Sequence, residues 1–247
     1  MTGASSGIGR ATAKVLVNHG ASIVIAARRE EESLQLVEEL HKSKANIEFI
    51  KTDVTNEDQV KAAIDFTISR FDGLHAVFNN AGGGFKAPHD WPHDTTNRLD
   101  KTFDLNMKGA WLCMKHELNY MLEHGGGSIV STSSIAGSRA TDSEAYIASK
   151  FAVEGLTKSA AVKYGHRGVR VNAVVPGIID SGSWKPRFES DPDLRKKWND
   201  AIPIGRPGKP EEVGEAVAWL CSNESSYVTG AIIPVDGGNA FTFARPS

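Results

Sequence analysis

The chain has 247 residues, with 28 Lys and Arg against 30 Asp and Glu and a formal net charge of -2. Hydrophobic residues make up 40% and charged residues 23%, so the chain can bury a core of its own without a disulfide or metal staple. The charge balance leaves no basic footprint for nucleic acid, and two cysteines form no disulfide framework and suit a reducing, cytoplasmic setting. No apolar run approaches the roughly 18 residues of a membrane span, and no apolar leader follows Met1. The membrane, secreted-disulfide, fibrous and disordered classes are thereby excluded.

In chain order, a glycine-rich stretch from Thr2 to Gly9 leads into a predicted helix over Arg10–His19. Ser22–Ala27 reads as a strand and Glu30–Lys42 as a helix. The pattern continues with strand Ile47–Lys51, helix Glu57–Phe71, strand Leu74–Asn79 and a long helical stretch over Thr95–His124. It ends with strand Ser128–Thr132, helix Glu144–Gly165, strand Arg170–Val175, helix Glu211–Ser222 and strand Ala231–Val235. The strand segments are short and rich in Val, Ile or Phe, and Gly, Asn, Asp or Pro bounds them. Pro210 suits the first turn of the last helix. Continuous apolar strands alternating with helices predict an α/β fold with a doubly wound, Rossmann-like parallel sheet covered on both faces. No repeat or low-complexity linker divides the chain, so a single domain over residues 1–247 is expected. The exception to the alternation is 177–203, which carries Ser-Gly-Ser, Trp184, Phe188 and a charged run, and is read as a substrate lid after a strand's carboxyl end.

Three groups of residues suggest chemistry. Thr2-Gly3-Ala4-Ser5-Ser6-Gly7-Ile8-Gly9 places glycines and a helix start where a backbone can approach phosphate closely. Tyr146 and Lys150, four residues apart, project from one face of a helix. A neighbouring ammonium is expected to pull the phenol below its ordinary pKa of about 10, making it a usable acid or base. Ser131–Ser134 end a strand, where Ser133 or Ser134 could hold a carbonyl oxygen as charge develops on it. Asp53-Val54 and Asn79-Asn80-Ala81-Gly82 end two further strands, and Asn106 sits within a helical stretch that it does not favour.

In this order these residues resemble the short-chain dehydrogenase/reductase family over essentially the whole chain. The match runs through T-G-x-x-x-G-x-G at Thr2–Gly9, D-V at Asp53–Val54, N-N-A-G at Asn79–Gly82 and Asn106. It continues through S-S-x-x-G at Ser133–Gly137, Y-x-x-x-K at Tyr146–Lys150, P-G at Pro176–Gly177 and D-G-G at Asp236–Gly238. The resemblance implies hydride transfer between a nicotinamide dinucleotide and a ketone or secondary alcohol. Tyr146 would be the acid/base, Lys150 would tune it and bind the nicotinamide ribose, and Ser134, three before the motif glycine, would hold the substrate oxygen. Asn106 would position a water behind Lys150. The same resemblance implies cofactor contacts from Gly3, Ser5, Ser6, Gly7, Ile8 and Gly9, from Asp53 and Val54 at the adenine, and from Asn80, Ala81 and Gly82. Pro176, Gly177, Ile179 and Ser181 would lie against the nicotinamide. A homotetramer or homodimer built on the long helices is also implied.

The choice of dinucleotide is expected to lie at the end of the strand Ser22–Ala27. An aspartate there would favour NAD(H); this chain has Ala27 followed by Arg28 and Arg29, which suit a 2′-phosphate. NADP(H) is therefore favoured, with Arg28 as a cofactor ligand, and NAD(H) stays possible. The family opens with an apolar strand before its T-G motif, whereas here Met1 stands next to Thr2. A truncated first strand is thus expected, with residues omitted from the start or a neighbouring segment in their place, and with unpaired buried backbone groups costing about 1–3 kcal/mol each. His89 and His93, beside Asp90 and Asp94, have a metal-like spacing, but Pro88 and Pro92 oppose a helix there, and no metal is expected. Trp111, Met114, Leu118 and Met121 form a stripe of core or subunit interface. The rival to an enzyme is a dinucleotide-binding sensor or scaffold that leaves its site unused, and the Ser134, Tyr146 and Lys150 set disfavours it.

Overall fold

The computed structural model describes residues 1–85, 91–137, 143–182 and 184–241. Among these, six strands form a parallel, twisted core. They are β1 (Ile23–Ala27), β2 (Ile47–Lys51), β3 (Ala76–Asn79), β4 (Gly127–Thr132), β5 (Val169–Pro176) and β6 (Ile232–Val235). All of β1 is buried, and seven of the eight residues of β5 are, because helices cover both faces. On one face lie α1 (Gly7–Asn18), α2 (Glu30–His41) and α9 (Pro210–Cys221). On the other lie α3 (Glu57–Phe71), α5 (Gly109–Met121) and α6 (Glu144–Tyr164). No described helix is long and apolar enough to cross a membrane.

The register brings the carboxyl ends of the strands to one edge. Asn79 pairs with Ser131, Thr132 with Val174, and Pro176 with Val235. The asparagine turn, the serine turn and the Pro-Gly turn therefore open side by side. Local signals set the helix starts. The side chain of Asn56 accepts from the Gln59 amide at 3.1 Å, and that of Asp191 accepts from the Leu194 amide at 2.9 Å.

The ladder is interrupted between β1 and β3. Only Met1–Gly3 join them: Gly3 N donates to Ala26 O at 3.0 Å, and Thr2 N donates to Phe78 O at 2.9 Å. The Met1 amine donates to Val24 O at 2.7 Å. The carboxyl ends of the two strands are thus bridged. A cavity of about 80 Å³ between β1 and β3 is lined by Ile23, Val24, Val77, Asn79, Cys113 and Glu117 among others.

Two elements differ from the sequence reading. The helical stretch Thr95–His124 is α4 (Thr96–Phe103), a π turn over Asp104–Lys108, and α5. The wide turn carries Asn106, and local periodicity gives no warning of it. Within 177–203, a region read as lid, the chain folds into α7 (Trp184–Ser190) and α8 (Pro192–Ala201). Phe188 and Ile202 are buried there with Ile135, Val175 and Ile178, and Leu194 and Trp198 pack against them. The charged run thus hides an amphipathic helix behind an Asp-Pro cap.

Candidate active site

A cleft of about 1180 Å³ runs along the carboxyl edge of the sheet, from the end of β1 to the helices that follow β5. Its floor at one end is the glycine turn and the first turn of α1. Gly3 has φ +69°, and a Cβ on it would stand 2.9 Å from the Ala81 backbone. A Cβ on Gly9 would stand 2.3 Å from Gly3 O. Side chains are excluded at both positions, so backbone amides and the positive end of α1 face the cleft bare. Thr2 ties this turn to the next one: its hydroxyl accepts from the amides of Asn80 and Ala81, each at 3.0 Å. A cradle of bare amides in a cleft this long fits the pyrophosphate and two ribosides of a dinucleotide.

At the end of β1, both Arg28 and Arg29 border the cleft. The Arg29 guanidinium donates to the hydroxyls of Ser5 at 2.9 Å and Ser6 at 2.5 Å. Arg28 is more exposed, with its guanidinium 4.0 Å from the Asp53 carboxylate. The sequence singled out Arg28 as the ligand; the structure brings Arg29 to the glycine turn as well. Val54 lines the cleft, and the Asp53 carboxylate beside it accepts from the Thr55 amide at 3.0 Å and hydroxyl at 2.9 Å.

Farther along, α6 carries half-buried Tyr146 and buried Lys150 on one flank, facing the serine turn after β4. Lys150 Nζ donates to Thr132 O at 2.8 Å and stands 5.6 Å from the centre of the Tyr146 ring. Ser133 and Ser134 have separate fates. Ser133 is buried, and its hydroxyl donates to the Glu154 carboxylate at 2.9 Å. Ser134 is hydrogen-bonded to Tyr146 and accepts from the Ala136 amide at 3.2 Å.

Electrostatics correct one expectation. Burial holds the Tyr146 phenol above its ordinary value of 10, and the Ser134 hydrogen bond only partly opposes this. Burial also brings Lys150 down to about 8, and its ammonium donates to a backbone carbonyl and not to the phenol.

Asn106, on the π turn, lies behind the cleft wall. Its Oδ1 accepts from the Gly83 amide at 2.9 Å, and its Nδ2 donates to Gly83 O at 3.0 Å and Ser149 Oγ at 2.9 Å. It fastens the Asn80–Gly83 turn to α6. The remaining predicted positions, Gly7, Ile8, Asn80, Gly82, Pro176, Gly177, Ile179 and Ser181, line the cleft. So do Phe85, Trp184, Arg187 and Trp198, of which only Trp184 is singled out in the sequence, within the segment read as lid. Phe188 is core, and Trp91 is exposed away from the cleft. His89 and Asp90 fall outside the described residues, and Asp94 is engaged by Arg98. Met114 and Met121 are core, whereas Trp111 on the same stripe is exposed.

Comparison with known proteins bears on this cleft. Residues 3–240 match a family described as Enoyl-(Acyl carrier protein) reductase. The chain is 42% identical over 241 residues to the A-factor type gamma-butyrolactone 1'-reductase (1S-forming) of Streptomyces virginiae, covering 96% of this chain and 93% of that protein. A short-chain type dehydrogenase/reductase from Mycobacterium ulcerans superposes with a TM-score of 0.93 at 34% identity, over 98% of this chain and 89% of the other. ElxO, solved with NADP bound, superposes with a TM-score of 0.92 at 29% identity, over 98% and 97% of the two chains.

Proposed function

The chain belongs to the short-chain dehydrogenase/reductase family, and from that premise we propose that it is an NADP(H)-preferring reductase of ketones, running in reverse on secondary alcohols, with Tyr146 as the proton donor. The observation that carries this is the Ser134, Tyr146 and Lys150 constellation facing the same cleft as the glycine cradle. Bound nicotinamide supplies or accepts the hydride. Every other task falls to the chain. The glycine turn and the start of α1 hold the phosphates. The Arg29 guanidinium, already organised by Ser5 and Ser6, and Arg28 beside it supply charge for a 2′-phosphate. Ser134 donates a hydrogen bond to the substrate oxygen. Tyr146 gives that oxygen its proton in reduction and takes it back in oxidation. Lys150 binds ribose and steadies the phenolate left behind. Asn106 acts as a positioning residue, holding the turn at Gly83 against α6. The segment 177–203 serves as the substrate lid, and exposed Trp111, Phe151 and Val162 on α5 and α6 serve self-association into a homo-oligomer.

The test is consumption of NADPH and NADH by purified protein across a panel of ketones, followed by absorbance of the reduced nicotinamide. Turnover with NADPH at least about tenfold more efficient than with NADH is expected. Equal or better turnover with NADH overturns the cofactor preference. No consumption with any ketone, and no reduction of NADP by the matching alcohols, overturns the function.

A further inference from the structure

Among the described residues that wall the cleft, the charged side chains are Arg28, Arg29, Lys150 and Arg187, and no carboxylate is present. Three of these cations have work in the scheme above: Arg28 and Arg29 face the cradle end, and Lys150 serves Tyr146. Arg187 lies at the opposite end, on α7. Its guanidinium stacks over the Trp184 ring, 5.1 Å from the centroid, and no described acidic side chain pairs with it. The contrast with Arg195 on α8 is direct. That guanidinium also lies over an aromatic ring, Phe188 at 5.4 Å, but it donates to the Asp180 carboxylate at 2.8 Å and is neutralised. Trp184 in turn meets Trp198 edge-on at 5.3 Å, so two indoles and a guanidinium form one wall. Ile135 and Ala136 continue the apolar lining toward Ser134.

A fork of guanidinium donors fixed by stacking suits a planar carboxylate, and indoles suit an apolar frame. Given the oxidoreductase activity proposed above, we infer that the substrate is an apolar ketone or secondary alcohol bearing a carboxylate, with Arg187 taking the carboxylate and Trp184 and Trp198 the frame. Arg187 is then a specificity-determining residue. Its exposure limits the gain, since water screens the pair.

The experiment uses matched pairs: 4-oxocyclohexanecarboxylate, 5-oxohexanoate and 4-oxopentanoate, each with its methyl ester. Wild type and Arg187→Gln are compared in kcat/KM. Binding is read separately, by calorimetry on the NADP(H)-loaded Tyr146→Phe protein with and without Arg187→Gln. For at least one frame, wild type should prefer acid over ester by about five- to tenfold, chiefly through KM. Arg187→Gln should bring that ratio to about one, Arg187→Lys should restore part of it, and added salt should erode it. Failure of every acid to outbind and outperform its ester, or an unchanged ratio in Arg187→Gln, overturns the inference. Tighter binding of an acid without turnover of any compound supports Arg187 as the carboxylate ligand and overturns the oxidoreductase function instead.

Discussion

Two regions of this molecule place ionisable groups in buried surroundings, and only one of them is built to react. At the carboxyl edge of the sheet, burial brings Lys150 down to about 8 and holds Tyr146 up. Between β1 and β3, burial raises Glu117 to about 7, and the Cys113 thiol is shifted up for the same reason. The Glu117 carboxylate accepts from Asn79 Nδ2 at 2.9 Å, while Asn79 Oδ1 is buried without a partner. Shifted acidity is therefore no mark of a site by itself. The edge differs in having a cradle from which side chains are excluded, an open cleft about 1180 Å³ in volume, and a phenol, a hydroxyl and an amine that converge. The gap is a cavity of about 80 Å³ whose polar groups face one another.

The contrast can be broken by substitution. Changes at the edge should alter binding and turnover, and changes in the gap should alter stability. Gly9→Val is the most severe, because the new Cβ falls 2.3 Å from Gly3 O. Dinucleotide affinity, read by fluorescence titration, should drop by about a thousandfold or beyond detection, since the phosphate cradle must open. Retained affinity would show that the phosphates bind elsewhere. Lys150→Met should lower kcat/KM for ketone reduction by about a hundredfold. In the unaltered protein the Lys150 ammonium is lost as pH rises through about 8, so dinucleotide affinity should fall across that pH. An affinity flat from about pH 6 to 10 in the wild type would contradict a binding role for that charge.

Smaller effects sharpen the comparison. Arg29→Ala should reduce the NADPH-over-NADH ratio by about tenfold by removing the guanidinium that Ser5 and Ser6 hold; an unchanged ratio would leave Arg28 as the sole determinant. Glu117→Gln should leave kcat/KM within about twofold and change stability instead. The folded pKa of Glu117 lies above its ordinary 4.5, so between 4.5 and about 7 the folded protein keeps a proton that the unfolded chain has released. Stability therefore falls as pH rises through that window, and the full penalty persists above it. A glutamine in its place can still accept from Asn79 and carries no charge, so the variant should gain roughly 2 kcal/mol at about pH 8 and lose this pH slope. Urea unfolding at about pH 5 and pH 8 measures it; equal slopes in both proteins would show Glu117 to be solvated.

The alternation of strands and helices was legible because each buried strand is a short apolar run with a turn residue at its end, as in Ile23–Ala27 and Val169–Pro176. The ordered motifs also made the edge legible, since each ends a strand and parallel strands end together. What the sequence could not supply depends on contacts between distant segments. Asn106 reaches Gly83 and Ser149 from a π turn that periodicity does not reveal. Trp198 lay hidden in a charged run, and its helix is defined by packing on Phe188 and Ile202 rather than by its own composition. The upward shift of Tyr146 is likewise invisible to helical spacing, which reports only the nearby ammonium, because the burial that causes it comes from the walls of the cleft.

The central claim is that Tyr146 gives the substrate oxygen its proton within a preformed dinucleotide cleft. Its most direct test measures NADPH affinity and ketone turnover in parallel for wild type, Tyr146→Phe and Glu117→Gln. Tyr146→Phe should bind NADPH within about threefold of wild type and lose at least about a hundredfold in kcat, while Glu117→Gln keeps both. Wild-type turnover by Tyr146→Phe would contradict the claim outright.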